Sequence, residues 1–139
     1  MSVFTSMPVR HYRGVAYWVV TVLVAAELGV GGIWDIVRIP YVRDLVVNLG
    51  YPTYFLVLLG VWKILAAVTL LAPRTGLGKE WAYAGAFFVY TGAIVSHVTT
   101  GYERGEVTVL LGLTALTIAS WALRPPDRRL ARLLVHGRS

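Results

Sequence analysis

Four long apolar stretches, each close to the length needed to cross a bilayer, constrain this chain more than any other feature. They run from about Val15 to Val37, Tyr54 to Ala72, Trp81 to Thr99 and Val107 to Leu123. A helix needs about 20 predominantly apolar residues to traverse roughly 30 Å of hydrocarbon. Soluble amphipathic helices place polar residues every third or fourth position, and these stretches do not. Helices are expected rather than open strands, because backbone groups in lipid must find their hydrogen bonds within the segment. The connections are short, so each helix should run antiparallel to the next.

Composition excludes the main alternative. Only 14% of the 139 residues are charged, against about 25% in a typical soluble domain. The charges crowd into the ends and connections. The net charge of +6 could suggest nucleic acid, but the basic residues flank apolar spans instead of lining one soluble face. Anionic lipid headgroups suit that pattern and nucleic acid does not. Cysteine is absent, which removes disulfides, thiolate metal sites and a thiol relay, and no metal is expected. The first stretch is too long for a signal-peptide core, contains Glu27 and Asp35, and is followed by three more spans. It is expected to remain in place.

The expected fold is therefore an all-α integral membrane four-helix bundle, a single domain over residues 1–139, in contact with the lipid bilayer. Between the first and second spans, Val42, Leu45, Val46 and Leu49 fall at helical spacing between Pro40 and Pro52. A short interfacial helix is expected there, stopped by Gly50. The basic tail, residues 124–139, reads either as an amphipathic segment resting on anionic lipid, with Leu130, Leu133 and Leu134 against its arginines, or as a frayed end. With four spans, one side holds nine Lys and Arg residues and the other holds Arg38, Arg43 and Arg104. Both termini are expected in the cytoplasm.

Chemistry must lie in the few ionisable groups inside the spans. Glu27 and Lys63 fall near the middle of the first and second stretches; Asp35 lies roughly 12 Å beyond Glu27 at 1.5 Å per residue. His97, late in the third stretch, is at a depth similar to that of Asp35. Two levels are expected: a Glu27–Lys63 pair at mid-depth, and Asp35 near His97 toward the outside, with Arg38 as a further partner for Asp35. A charge at the bilayer centre costs about 3 kcal/mol on insertion scales, so these groups need partners or water. Glu27 and Lys63 suit either a site or a buried pair fixing helix register. Tyr83, Tyr90 and His97 recur every seven residues on one helix face, as packed aromatics or as the wall of a cavity or proton path. Ala25 with Gly29, and Gly92 with Ser96, are small residues spaced to let helices approach. The hydroxyls of Thr108, Thr114, Thr117 and Ser120 suit bonds back to their own helix, and Glu80 suits the start of the third helix as a dipole-complementing cap.

Several runs are familiar. Gly60-Val61-Trp62-Lys63, Leu71-Ala72-Pro73, Lys79-Glu80-Trp81-Ala82-Tyr83-Ala84-Gly85 and Ser96-His97 resemble the DoxX-like family of small bacterial membrane proteins. Gly31-Gly32-Ile33-Trp34-Asp35 and Leu49-Gly50-Tyr51-Pro52 fit as well, so the resemblance covers about Tyr17 to Leu123. It implies a four-helix protein of the bacterial inner membrane. The family takes its name from a small membrane subunit of a thiosulfate:quinone oxidoreductase, and relatives are linked to redox complexes with soluble partners. By that resemblance the chain is expected to be a membrane subunit or scaffold of a quinone-linked redox complex, with a redox partner protein and no intrinsic cofactor beyond a quinone. The alternative is a membrane enzyme or binding protein for a quinone or other lipophilic molecule, with His97, Asp35, Lys63, Glu27 and Tyr90 as its polar site. A proton-coupled homo-oligomeric transporter built on Glu27 is the third expectation, weakened by Lys63, which would neutralise that carboxylate. Whether the chain is an enzyme is left open by its residues.

Overall fold

The computed structural model describes residues 9–73, 75–125 and 128. These form five helices: α1 (Val9–Val37), α2 (Pro40–Asn48), α3 (Tyr54–Leu71), α4 (Gly76–Thr100) and α5 (Gly105–Ala122). No strand occurs among the described residues.

The helix ends follow from local chemistry. α1 closes where the Arg38 and Ile39 N–H groups turn back to the Asp35 and Trp34 carbonyls at 3.2 and 3.3 Å. That closure needs a left-handed residue after the helix, and Arg38 supplies it at φ 58° without being glycine. α2 starts with Pro40 in its first turn, where the missing N–H has no intrahelical partner to lose. It stops at Gly50, φ 92°. α3 ends as Ala72 becomes extended ahead of Pro73, as the residue before a proline prefers.

Three helices are long and apolar enough to cross a membrane: α1 over His11–Val37, α3 and α5. Large apolar side chains cover the outside, with Phe88 68% and Trp62 62% exposed. An apolar exterior of that kind belongs in lipid. α4 has the length but not the composition, since it opens on Lys79 and Glu80 and carries Tyr83, Tyr90, Ser96 and His97.

α1 packs against α3 and α5, and α4 bridges α3 and α5, so the four long helices close a ring. Val24, Leu28, Leu70, Ala82 and Ala86 fill its centre. The tightest crossing is at Gly32 and Gly60. A Cβ on Gly32 would lie 2.9 Å from the Gly60 carbonyl oxygen, and one on Gly60 would lie 2.5 Å from that of Gly32. Gly29 is looser, 4.0 Å from the Ala67 methyl, and Gly92 faces open space, so the Gly92–Ser96 pair does not mark a helix crossing.

Two charges differ from expectation. Glu80 does not cap α4. One turn inside the helix, it pairs instead with Arg124 after α5 and accepts a hydrogen bond from Trp121 Nε1 at 3.2 Å. Arg124 in turn lies over the Tyr83 and Trp121 rings. Lys79, expected as a connection charge, is fully buried. Its ammonium donates to the Leu70 carbonyl at 3.3 Å, to Thr75 Oγ1 at 3.0 Å, and to the Thr69 and Ala72 carbonyls. The last carbonyls of a helix lack intrahelical partners and carry partial negative charge, and a lysine satisfies both needs. Except for Arg128, the Asp127–Arg138 tail lies outside the described residues.

Candidate functional site

The candidate site begins with a stripe on α1. Glu27, Gly31 and Asp35 are spaced by four residues, so they lie on one helix face. The missing side chain at Gly31 leaves a gap between two carboxylates, and the Lys63 ammonium fills it. A Cβ on Gly31 would lie 2.6 Å from Lys63 Nζ. The ammonium is 3.4 Å from Glu27 Oε1 and 3.4 Å from Asp35 Oδ2. Tyr90 of α4, itself buried, donates its phenol to Glu27 Oε2.

This arrangement corrects the two expected levels. Lys63 pairs with both carboxylates, because its long stem reaches into the gap above Glu27 and below Asp35. His97 does not meet Asp35. It sits in the last turn of α4, and its Nδ1 is 2.6 Å from the Tyr102 carbonyl just beyond the helix. A carbonyl only accepts, so Nδ1 carries the proton and Nε2 keeps a lone pair in the neutral ring. Arg38 turns the chain out of α1 rather than pairing with Asp35.

Glu27, Asp35, Lys63, Tyr90 and His97 all line one cavity of about 790 Å³. The rest of its wall is mainly apolar, including Val30, Trp34, Leu59, Val89 and Leu113, with Gly92 and Ser96 also at the surface. Asp35 Oδ2 is buried and no hydrogen bond reaches it. Lys63 has three N–H donors and two carboxylate neighbours, which leaves one donor for another acceptor. The cluster can therefore offer a donor from Lys63 and an acceptor from the partly exposed Glu27 carboxylate to a polar group in the cavity.

α2 roofs this space through Tyr41, Val42, Leu45, Val46 and Leu49. Two hydroxyls tie its ends down: Tyr41 donates to Glu106 at the start of α5, and Tyr51 hydrogen-bonds Ser96 of α4 at 2.8 Å. The Tyr41 phenol is pushed up to about 12 by that hydrogen bond to the Glu106 carboxylate. A raised folded pKa means its stabilising contribution is complete below the usual phenol value and is lost as pH rises through about 12, so the tie persists at neutral pH. Tyr41→Phe is expected to loosen α2, with amide exchange there rising about fivefold, the worth of one hydrogen bond of about 1 kcal/mol. Unchanged exchange would show that packing alone holds the roof.

A second polar network lies toward the other end of the bundle. Ser120 Oγ is 2.6 Å from Thr21 Oγ1 and 2.7 Å from the Tyr83 hydroxyl. Ser120 thus bonds across helices, while Thr114 and Thr117 bond back to the Leu110 and Leu113 carbonyls as expected. Val24 and Ala86 stand among the buried apolar residues of the same helices, between the positions of this network and those of the Glu27 cluster.

A family model described as the DoxX-like family matches residues 19–120. No curated protein and no solved structure matches the chain.

Proposed function

The chain belongs to the DoxX-like family, and on that footing we propose that it binds a lipophilic molecule with a neutral, hydrogen-bonding head, of the quinone class, within the membrane. The observation that carries this reading is the Glu27–Lys63–Asp35 cluster set into the wall of a cavity of about 790 Å³ whose lining is otherwise mainly apolar. A pocket of this kind, mostly apolar with a few convergent polar groups, is the usual form of a small-molecule site. The residues suit a quinone head: the spare Lys63 N–H can donate to a carbonyl, and the partly exposed Glu27 carboxylate can accept from a hydroxyl. Bound there, a quinone would supply two-electron redox chemistry. The chain's own part is to orient the head and keep water limited.

In this reading α4 makes the fourth crossing, with its polar face turned inward, and α2 lies along the outer interface. The distribution of Lys and Arg supports cytoplasmic termini in a bacterial inner membrane. The subunit role expected of this family is compatible with the same site, the redox partner being a soluble protein that exchanges electrons with the bound quinone. That role predicts stoichiometric co-elution of an oxidoreductase from native membranes.

The direct test is quinone titration of the purified protein in lipid nanodiscs, read by quenching of tryptophan fluorescence, since Trp34 lines the cavity. Gly92→Trp should fill the space while leaving the fold intact, because a Cβ at Gly92 meets nothing within 4 Å. Its affinity is expected to fall by at least about tenfold, or roughly 1.4 kcal/mol. Equal affinity in wild type and Gly92→Trp would remove this cavity as the site.

A further inference from the structure

A second cavity, of about 640 Å³, lies between α3 and α4. It shares Phe55, Leu59, Lys63, Phe88 and Val89 with the first, so the two spaces adjoin across these side chains. Its shape follows from how the two helices diverge. Beside the α3–α4 connection, a Cβ on Gly78 would meet the Thr69 methyl at 3.2 Å. Two turns further on, a Cβ on Gly85 would meet nothing within 4 Å. The helices therefore touch at the connection and part toward the Glu27 cluster, leaving a groove with a closed end. From Val89 to Gly78 it extends for roughly 16 Å at 1.5 Å per residue.

The groove is apolar. Its one hydroxyl, Thr69 Oγ1, is already used on the Leu65 carbonyl at 2.7 Å. The Lys63 ammonium points away toward the α1 carboxylates, leaving its methylene stem as lining. The rim is open to the lipid side, with Trp81 74% and Phe88 68% exposed.

We propose that this groove holds the apolar tail of the molecule whose head lies against Lys63, Glu27 and Tyr90, and that the gap between α3 and α4 is the side door through which it arrives from the bilayer. The proposal rests on the head-site reading above and names the ligand further, as a single-tailed amphiphile with an uncharged head. The shared wall, with the Lys63 stem on one side and its ammonium on the other, sets the groove beside the head site. Charge selects the head: Lys63 faces two carboxylates, so the cluster carries an excess negative charge that repels a phosphate and tolerates a quinone ring. An ordinary phospholipid, anionic at its phosphate and bearing two chains, fits neither the cluster nor a single closed groove.

The test uses the full chain in nanodiscs with two probes, decylubiquinone and the same quinone head without a tail. Gly85→Leu projects a side chain into the groove where a Cβ has free space. It is expected to weaken decylubiquinone binding roughly tenfold, the loss of many small dispersion contacts, with the tail-less head bound as in wild type. Gly85→Ala should show a smaller loss in the same direction, which keeps the test open if the leucine variant folds poorly. An equal fall for both probes, or no fall for either, overturns the tail groove while leaving the head site standing. A change in oligomeric mass of the Gly85 variants without ligand also overturns it, by giving the groove to a second copy. If neither probe binds wild type, the head site and the groove fall together.

Discussion

Lys63→Met is expected to lower the stability of the folded chain by about 3–5 kcal/mol, the cost of leaving buried charges without their partner. Two carboxylates depend on this one ammonium, and Asp35, its side chain only 7% exposed, has no hydrogen bond to fall back on. Glu27 is better placed, because Tyr90 still donates to it and part of its side chain meets the cavity. Unfolding by titration with a denaturing detergent in mixed micelles would measure the loss. Adding Glu27→Gln and Asp35→Asn to Lys63→Met should recover most of it, since polar neutral groups are far easier to bury than unpaired charges. A Lys63→Met chain as stable as wild type would mean that the three groups are not held as one charged unit.

Gly60→Ala is the second large effect. The new methyl would lie 2.5 Å from the Gly32 carbonyl oxygen and 2.7 Å from Ile36 Cγ1. The first neighbour is backbone, so α1 and α3 must move apart. Overpacking of this kind costs about 1–3 kcal/mol. Gly92→Ala is the matched control. With open space around its Cβ, it should be neutral or stabilising by about 0.5–1 kcal/mol through helix propensity. A loss at Gly60 no larger than that at Gly92 would show that the crossing adjusts without strain.

The apolar stretches made the helices legible, because length and hydropathy report directly on what can lie in lipid. The short helix after Pro40 was legible for a different reason: a proline at its start and Gly50 at its end are local signals. α4 was harder, since its inward face is polar and it is not among the helices apolar enough by composition to cross a membrane. At the candidate site, the residues were readable but their partners were not. Depth along separate helices put Lys63 level with Glu27 alone, and only the Gly32–Gly60 approach brings α3 close enough to share it with Asp35. A signal was present in the sequence: a glycine midway between two acids on one helix face leaves room for a cation. The fate of His97 could not be read, because its partner is the Tyr102 backbone carbonyl and carbonyls carry no sequence mark. The burial of Lys79 was hidden for the same reason, its partners being mainly the last carbonyls of α3.

The gap at Gly31 also ties the evolution of two positions together. With Lys63 in place, any side chain at position 31 must displace an ammonium that sits 2.6 Å from its Cβ. With a short residue at position 63, the nearest remaining neighbour is Glu27 Oε1, 3.1 Å from that Cβ and at the end of a flexible side chain. Either single step is costly: losing the lysine leaves two carboxylates without their shared partner, and a side chain at position 31 must push the ammonium aside. Positions 31 and 63 form an epistatic pair, and in descendants that have lost the lysine, alanine or serine should accumulate where this chain has Gly31.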